Sequence, residues 1–121
     1  MLRNAAGLVA FLCMLASPAY AARCAVSERS ILGAWQHVSG AGLFQEMEFR
    51  QIRGRRLFNS WLHQRPELVD MPWTFARCRI HIRHSDPRLS VTLTVQRVSG
   101  NRLHVRTRGQ QRDAVYRRIE Q

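Results

Sequence analysis

The chain contains no lysine: all 19 of its basic residues are arginine, set against only 8 acidic ones. A genome biased toward arginine codons accounts for the missing lysine more simply than selection does, yet the charge of +11 is a physical property of the product whatever its origin. Such a charge favours polyanions and anionic surfaces. Acidic side chains are few enough to name: Glu28, Glu46, Glu48, Glu67, Asp70, Asp86, Asp113 and Glu120. No two of them sit where a strand or tight loop would bring them together with a histidine and a nucleophile. A G-x-S-x-G elbow and a glycine-rich phosphate loop are also missing. Ser60 and His63 are close in sequence, but three residues apart on a strand they face opposite ways. These absences point to a protein that is not an enzyme and holds no cofactor.

Long hydrophobic runs are lacking too. The longest, Ala5 to Ala16, has 12 residues, against the roughly 20 needed to cross a bilayer as a helix. Its flanks explain it. Met1-Leu2-Arg3 places a positive charge ahead of the run, and Ala19-Tyr20-Ala21 closes it with small residues around a cleavage position. This is the pattern of a secretory signal peptide over residues 1–21. It predicts a periplasmic or secreted product with no transmembrane segment after processing, and a single small domain over residues 22–121. Arg23 argues against lipidation of Cys24, because the position before a lipidated cysteine normally holds Gly, Ala or Ser.

Cysteine is scarce, and export changes the count that matters. Cys13 leaves with the signal peptide, so Cys24 and Cys78 remain. In an oxidising compartment an even pair is most simply one disulfide. Closing a loop of this length is worth roughly 4 kcal/mol on the chain-entropy estimate. Redox chemistry prefers closely spaced thiols in an electropositive site; arginines flank both cysteines, but no C-x-x-C exists.

What the sequence does have is period-two alternation, the mark of half-buried strands. Cys78, Ile80 and Ile82 alternate with Arg79, His81 and Arg83. Leu89, Val91, Leu93 and Val95 alternate with Ser90, Thr92, Thr94 and Gln96. Turns at Ser85-Asp86-Pro87 and Ser99-Gly100-Asn101 separate these strands from each other and from Leu103–Arg108, and Gly109 leads to a last strand from Ala114 to Ile119. Upstream, strands are predicted over Gly33–Ser39, Phe44–Ile52 and Leu57–His63, with turns at Ser39–Gly42 and Arg53–Arg55. Pro66 and Pro72 bracket a loop, and Trp73-Thr74-Phe75 adds a short strand. Val26–Leu32 reads as one helical turn with Ser27 as its cap. The fold class is all-β: an antiparallel meander of seven to eight strands forming an up-and-down barrel or a partly open one.

Gly33-Ala34-Trp35 opens the first strand as the G-x-W motif does in lipocalins, and the last strand carries Tyr116-Arg117-Arg118, where lipocalin-like proteins set an arginine against that tryptophan. The mature chain resembles a compact bacterial lipocalin-like, or calycin-type, domain. The resemblance implies a barrel closed at one end by Trp35, with Arg117 or Arg118 crossing the indole as a cation–π lid, and a small apolar ligand carried inside. The large rings Trp35, Phe49, Phe58, Trp61 and Trp73 are then either pocket walls or core.

The outward face of the meander gives a second candidate site. Arg79, His81 and Arg83 on one strand and His104, Arg106 and Arg108 on another flank the Ser90, Thr92, Thr94 stripe. Guanidinium groups bind phosphate and carboxylate in a bidentate fashion, so this face suits anionic envelope material such as lipopolysaccharide or an acidic polysaccharide. It lacks aromatic rings for stacking bases, and with export this argues against a nucleic-acid partner. A metal site is not expected, because His81 and His84 point to opposite faces of a strand. The function expected is therefore an exported, non-catalytic binding protein of the cell envelope. The alternative is an interaction protein, an inhibitor or accessory subunit docking on an envelope or extracellular protein.

Overall fold

A computed structural model describes residues 24–119; the expected signal peptide lies outside the described residues. Eight antiparallel strands close into an up-and-down barrel, each paired with its neighbours in sequence and the last with the first. They are β1 (Gly33–Gly40), β2 (Glu46–Ile52), β3 (Arg55–Leu62), β4 (Arg65–Ala76), β5 (Arg79–Ile82), β6 (Val91–Ser99), β7 (Arg102–Thr107) and β8 (Ala114–Arg118). A single helical turn, α1 (Glu28–Ile31), precedes β1, and a 3-10 turn over Pro87–Leu89 sits between β5 and β6. Closure removes the two open edges that a flat meander of this length would expose.

Alternation sorts the side chains as the sequence implies. Met47 and Phe49 from β2, Ile80 and Ile82 from β5, Leu93 and Val95 from β6, and Leu103 and Val105 from β7 form one core with Ile31, Trp35, Phe44, Phe58, Trp73, Ala114 and Tyr116. Four rings interlock within it: Phe44 on Phe58 at 5.0 Å, Phe58 on Phe49 at 5.1 Å and Phe49 on Trp73 at 5.3 Å between centroids. All four are tilted or edge-on, the arrangement aromatic quadrupoles favour. These rings are core. Trp61 is a correction: Phe58 and Ser60 take the inward positions of β3, so Trp61 points outward, half-buried and outside that core.

The segment between Pro66 and Pro72 is strand rather than loop. The β3–β4 turn consists of His63 and Gln64, both at positive φ (52° and 67°), the backbone that two-residue hairpins need and that Gly or Asn usually supplies. Both prolines are accommodated. Pro72 turns its carbonyl toward β5, accepting from the Arg83 N–H at 2.9 Å, so its ring nitrogen on the same side leaves no gap in the β3 ladder. Register with β5 spans only Trp73–Ala76, so Pro66 lies where β4 has a strand on one side alone, as proline requires. A bulge beside Asn59 bends this long strand. There Asp70 adopts φ 52°, and its N–H donates to Asn59 Oδ1 at 2.9 Å. That bond is why an asparagine is tolerated with only 7% of its surface exposed.

The α1 end of the barrel is tied shut. Cys24 and Cys78 form a disulfide with Cα atoms 5.4 Å apart across a sequence separation of 54, joining the segment before α1 to the β4–β5 turn. Ser27 does precede α1 as its N-cap, but its side chain makes no capping hydrogen bond; its carbonyl accepts from Ser30 N and Oγ instead. At the opposite end the buried Tyr116 hydroxyl donates to the Phe44 carbonyl at 2.8 Å and accepts from the Phe44 N–H at 3.3 Å. It thereby anchors the β1–β2 loop to β8.

Replacing both Cys24 and Cys78 by Ser is expected to lower the unfolding free energy by about 4 kcal/mol, read as a drop in urea midpoint with the spectrum of the folded state retained. Burial pushes the Tyr116 phenol up to about 12, the hydrogen bond with Phe44 acting the other way. The unfolded chain ionises near 10, so ionisation favours unfolding: stability is complete below pH 10 and falls by about 2 kcal/mol as pH rises to 12. Tyr116→Phe is expected to cost about 1–2 kcal/mol at pH 8 and to flatten the alkaline loss. The only other tyrosine is Tyr20, so absorbance at about 295 nm on a chain beginning after Ala21 reports this group alone.

Candidate functional site

Two of the expected sites come together in the fold, at different places. The first closes the α1 end. Ala114 and Tyr116 face inward on β8, so alternation sends Arg118 inward and Arg117 outward. Arg118 lies over the Trp35 ring, its guanidinium carbon 4.2 Å from the centroid. Its Nη1 donates to the Leu32 carbonyl at 2.7 Å and its Nη2 to the Ser30 carbonyl at 2.9 Å. The Trp35 indole N–H donates to the Ile31 carbonyl at 3.0 Å. Gly33 completes the group: its φ is +118°, and a Cβ there would meet Arg118 Nη1 at 2.7 Å. Arg117, by contrast, is exposed and donates to Gln36 Oε1 at 3.0 Å.

The second is the outer face of β5, β6 and β7. Register places Arg79 opposite Thr94, and Thr94 opposite Arg106. The next outward row runs His81 opposite Thr92, continued to Arg108 by its N–H on the Thr92 carbonyl at 2.9 Å. Two parallel rows result, each with a hydroxyl between two nitrogen-bearing side chains. Adjacent strands are about 4.8 Å apart, so the side chains flanking each threonine start about 10 Å apart. Arg79, Thr92, Thr94, Arg106 and Arg108 line a groove of about 310 Å³, whose end is formed by Gly109 and Gln110 of the β7–β8 loop.

Partners divide the cations. Arg106 Nε donates to Asp113 Oδ1 at 2.8 Å, and His81 Nδ1 lies 3.1 Å from Thr92 Oγ1. Arg79 and Arg108 have no side-chain partner among the described residues. The two remaining members of the expected face sit at its margins. A bulge at Gln96 shifts the β6–β7 register, so His104 pairs with Arg97 and lies 3.3 Å from its Nη2 instead of joining the threonine stripe. Arg83 is exposed just beyond the end of β5, and Ser90 is occupied in accepting from the His84 N–H at 3.0 Å.

Around this groove the charge is strongly one-sided. Residues 79–119, which form β5–β8, hold ten arginines against Asp86 and Asp113, whereas residues 46–76, which form β2–β4, hold five against four acids. The half of the barrel that bears this face therefore carries most of the excess charge. Sequence reading missed Asp113, Gly109 and Gln110, which shape the groove from a loop with no periodicity; the rarity of acids in this half was the one available signal for Asp113. Among the described residues no helix is long and apolar enough to cross a membrane, and no three His, Cys, Asp or Glu side chains converge on one point. Comparison with protein-family models, with curated proteins and with solved structures returned no match.

Arg118→Met is expected to remove both carbonyl bonds and the ring contact while keeping bulk, lowering stability by about 3 kcal/mol. A double-mutant cycle with Trp35→Phe checks this. A coupling energy of at least about 1 kcal/mol identifies the pair as one unit, and additivity would separate them.

Proposed function

We propose that the protein is an exported, non-catalytic binding protein of the cell envelope, built on a lipocalin-like barrel, that holds anionic envelope material on the arginine face of β5–β7. The observation that carries this reading is the double row Arg79–Thr94–Arg106 and His81–Thr92–Arg108, with two arginines left without a counter-charge. Guanidinium groups and hydroxyls at this spacing match the oxygens of phosphate, sulfate or carboxylate groups repeated along a polymer.

The closed eight-stranded barrel and the Gly33, Trp35, Arg118 closure support the lipocalin-like part of the proposal. An apolar ligand inside the barrel is the less favoured site, because Trp35, Met47, Phe49, Phe58 and Trp73 occupy the interior at no more than 2% exposure each. Barrels of eight strands have room for side chains or for one small ligand, and here the side chains take it. The Cys24–Cys78 disulfide fits export to an oxidising compartment.

Heparin and long-chain polyphosphate serve as probes. Both are expected to bind with affinity that falls steeply between about 50 and 300 mM salt, as screening of exposed charges requires. Arg79→Gln and Arg108→Gln should each weaken binding by about tenfold or more, whereas Arg50→Gln on the opposite side of the barrel should leave it within about twofold. Equal losses at all three positions would mean diffuse charge and no site, which overturns the reading.

A further inference from the structure

The groove does not end at the last arginine. Thr92, Thr107, Arg108 and Gln110 are shared with a second hollow of about 430 Å³ at the barrel mouth, whose other walls include Leu43, Pro87 and Val91. A third, of about 200 Å³, continues from Leu43, Thr107 and Gln110 to Ala41 and Gly42. The first two volumes fall within the roughly 300–1,000 Å³ typical of small-molecule sites. Polarity changes along the track, from guanidinium and hydroxyl on the face to aliphatic side chains at the mouth. Leu43 is 53% exposed and Leu89, in the 3-10 turn on the same rim, 56%. Thr107, 8% exposed at the junction of all three hollows, has a hydroxyl with no hydrogen-bond partner among the described residues.

We propose that the ligand of this face is an anionic amphiphile: a phosphate monoester held by Arg79 and Arg108 over Thr92, with its alkyl chain laid across the barrel mouth against Leu43, Pro87 and Val91. The inference rests on the anion-binding reading above and names its ligand class. Charge selects the headgroup. Asp113 neutralises Arg106, leaving two guanidinium groups uncompensated, and a phosphate monoester carries about −1.5 to −2 at pH 7, whereas a carboxylate offers only one charge to two arginines. The chain is selected by the lining of the mouth, since a purely hydrophilic polymer would gain nothing from covering three aliphatic side chains.

Calorimetric titration with methyl phosphate and hexyl phosphate, both monomeric in solution, separates head from chain. Burial of as few as two methylenes is worth about tenfold, so hexyl phosphate is expected to bind at least tenfold tighter. Leu43→Ser, at an exposed loop position, should bring hexyl phosphate to within about threefold of methyl phosphate, whereas Arg108→Gln should weaken both by a similar factor. Equal binding of the two phosphates while heparin still binds would overturn the amphiphile and leave the anion face standing; failure of all three ligands would take the underlying reading with it. Binding to vesicles of phosphatidic acid in phosphatidylcholine without binding of hexyl phosphate would also overturn it, in favour of a membrane surface.

Discussion

The barrel depends on the guanidinium of Arg118 being seated between the Trp35 ring and the carbonyls of Ser30 and Leu32. That contact joins the first strand, the last strand and the helical turn that plugs the end, three elements that alternation alone leaves unconnected. It also explains the glycine at position 33, where a side chain would occupy the space of Nη1. Carbonyls at the C-terminal end of a helical turn need donors, and a cation supplies two donors while its plane covers the indole. Replacing arginine by lysine at this point would give up both the fork and the stacked plane.

Much of the architecture was legible because strand period and side-chain burial share the same parity. The strands from β5 to β8 follow from the sequence to within about three residues, since every inward position there up to Tyr116 is aliphatic or small except Thr107 and that terminal tyrosine. Leu89, which alternation reads as the first inward residue of β6, lies instead exposed in the 3-10 turn, and β6 runs on to Ser99. Parity would even have chosen Arg118 over Arg117 once Tyr116 was set inward. The first half was harder to read for a definite reason: the turns His63-Gln64 and Arg77-Cys78 adopt positive φ without glycine. Tertiary pairing imposes that backbone, against local preference. The prolines of β4 then suggested a loop where the chain has merely placed them on sides that need no donor. Trp61 misled in the same way, because the inward place beside it belongs to a serine.

The candidate face was legible in composition but not in register. Arg79, His81, Arg106 and Arg108 stand in two rows with the threonines because β6 lies between β5 and β7, as alternation and short turns require. His104 falls outside because one extra residue at Gln96 displaces the ladder, and no feature of the sequence announces a bulge there. The mouth hollows were invisible for a different reason. Leu43, Pro87 and Gln110 belong to three separate loops at one end of the barrel, and only closure brings them together.

A chain this basic must also hold itself together against its own charge, and the acids show how. Of the seven in the described residues, Glu28, Glu48, Asp86 and Asp113 lie within ion-pair distance of Arg56, Arg50, Arg88 and Arg106. Exposed pairs of this kind contribute about 0–1 kcal/mol each, so their effect is to place counter-charge rather than to stabilise greatly. The placement leaves Arg79 and Arg108 uncompensated on either side of the threonine rows, where repulsion between neighbouring strands is relieved by any bound anion. Binding and folding are linked for such a site: a ligand that occupies it only in the closed barrel stabilises that barrel by mass action. The disulfide and the Arg118 closure hold the α1 end, the disulfide through Cys78 next to Arg79. The barrel can therefore carry an unneutralised face without ligand because the disulfide, the Arg118 closure and the Tyr116–Phe44 bonds at the mouth fix it independently of that face.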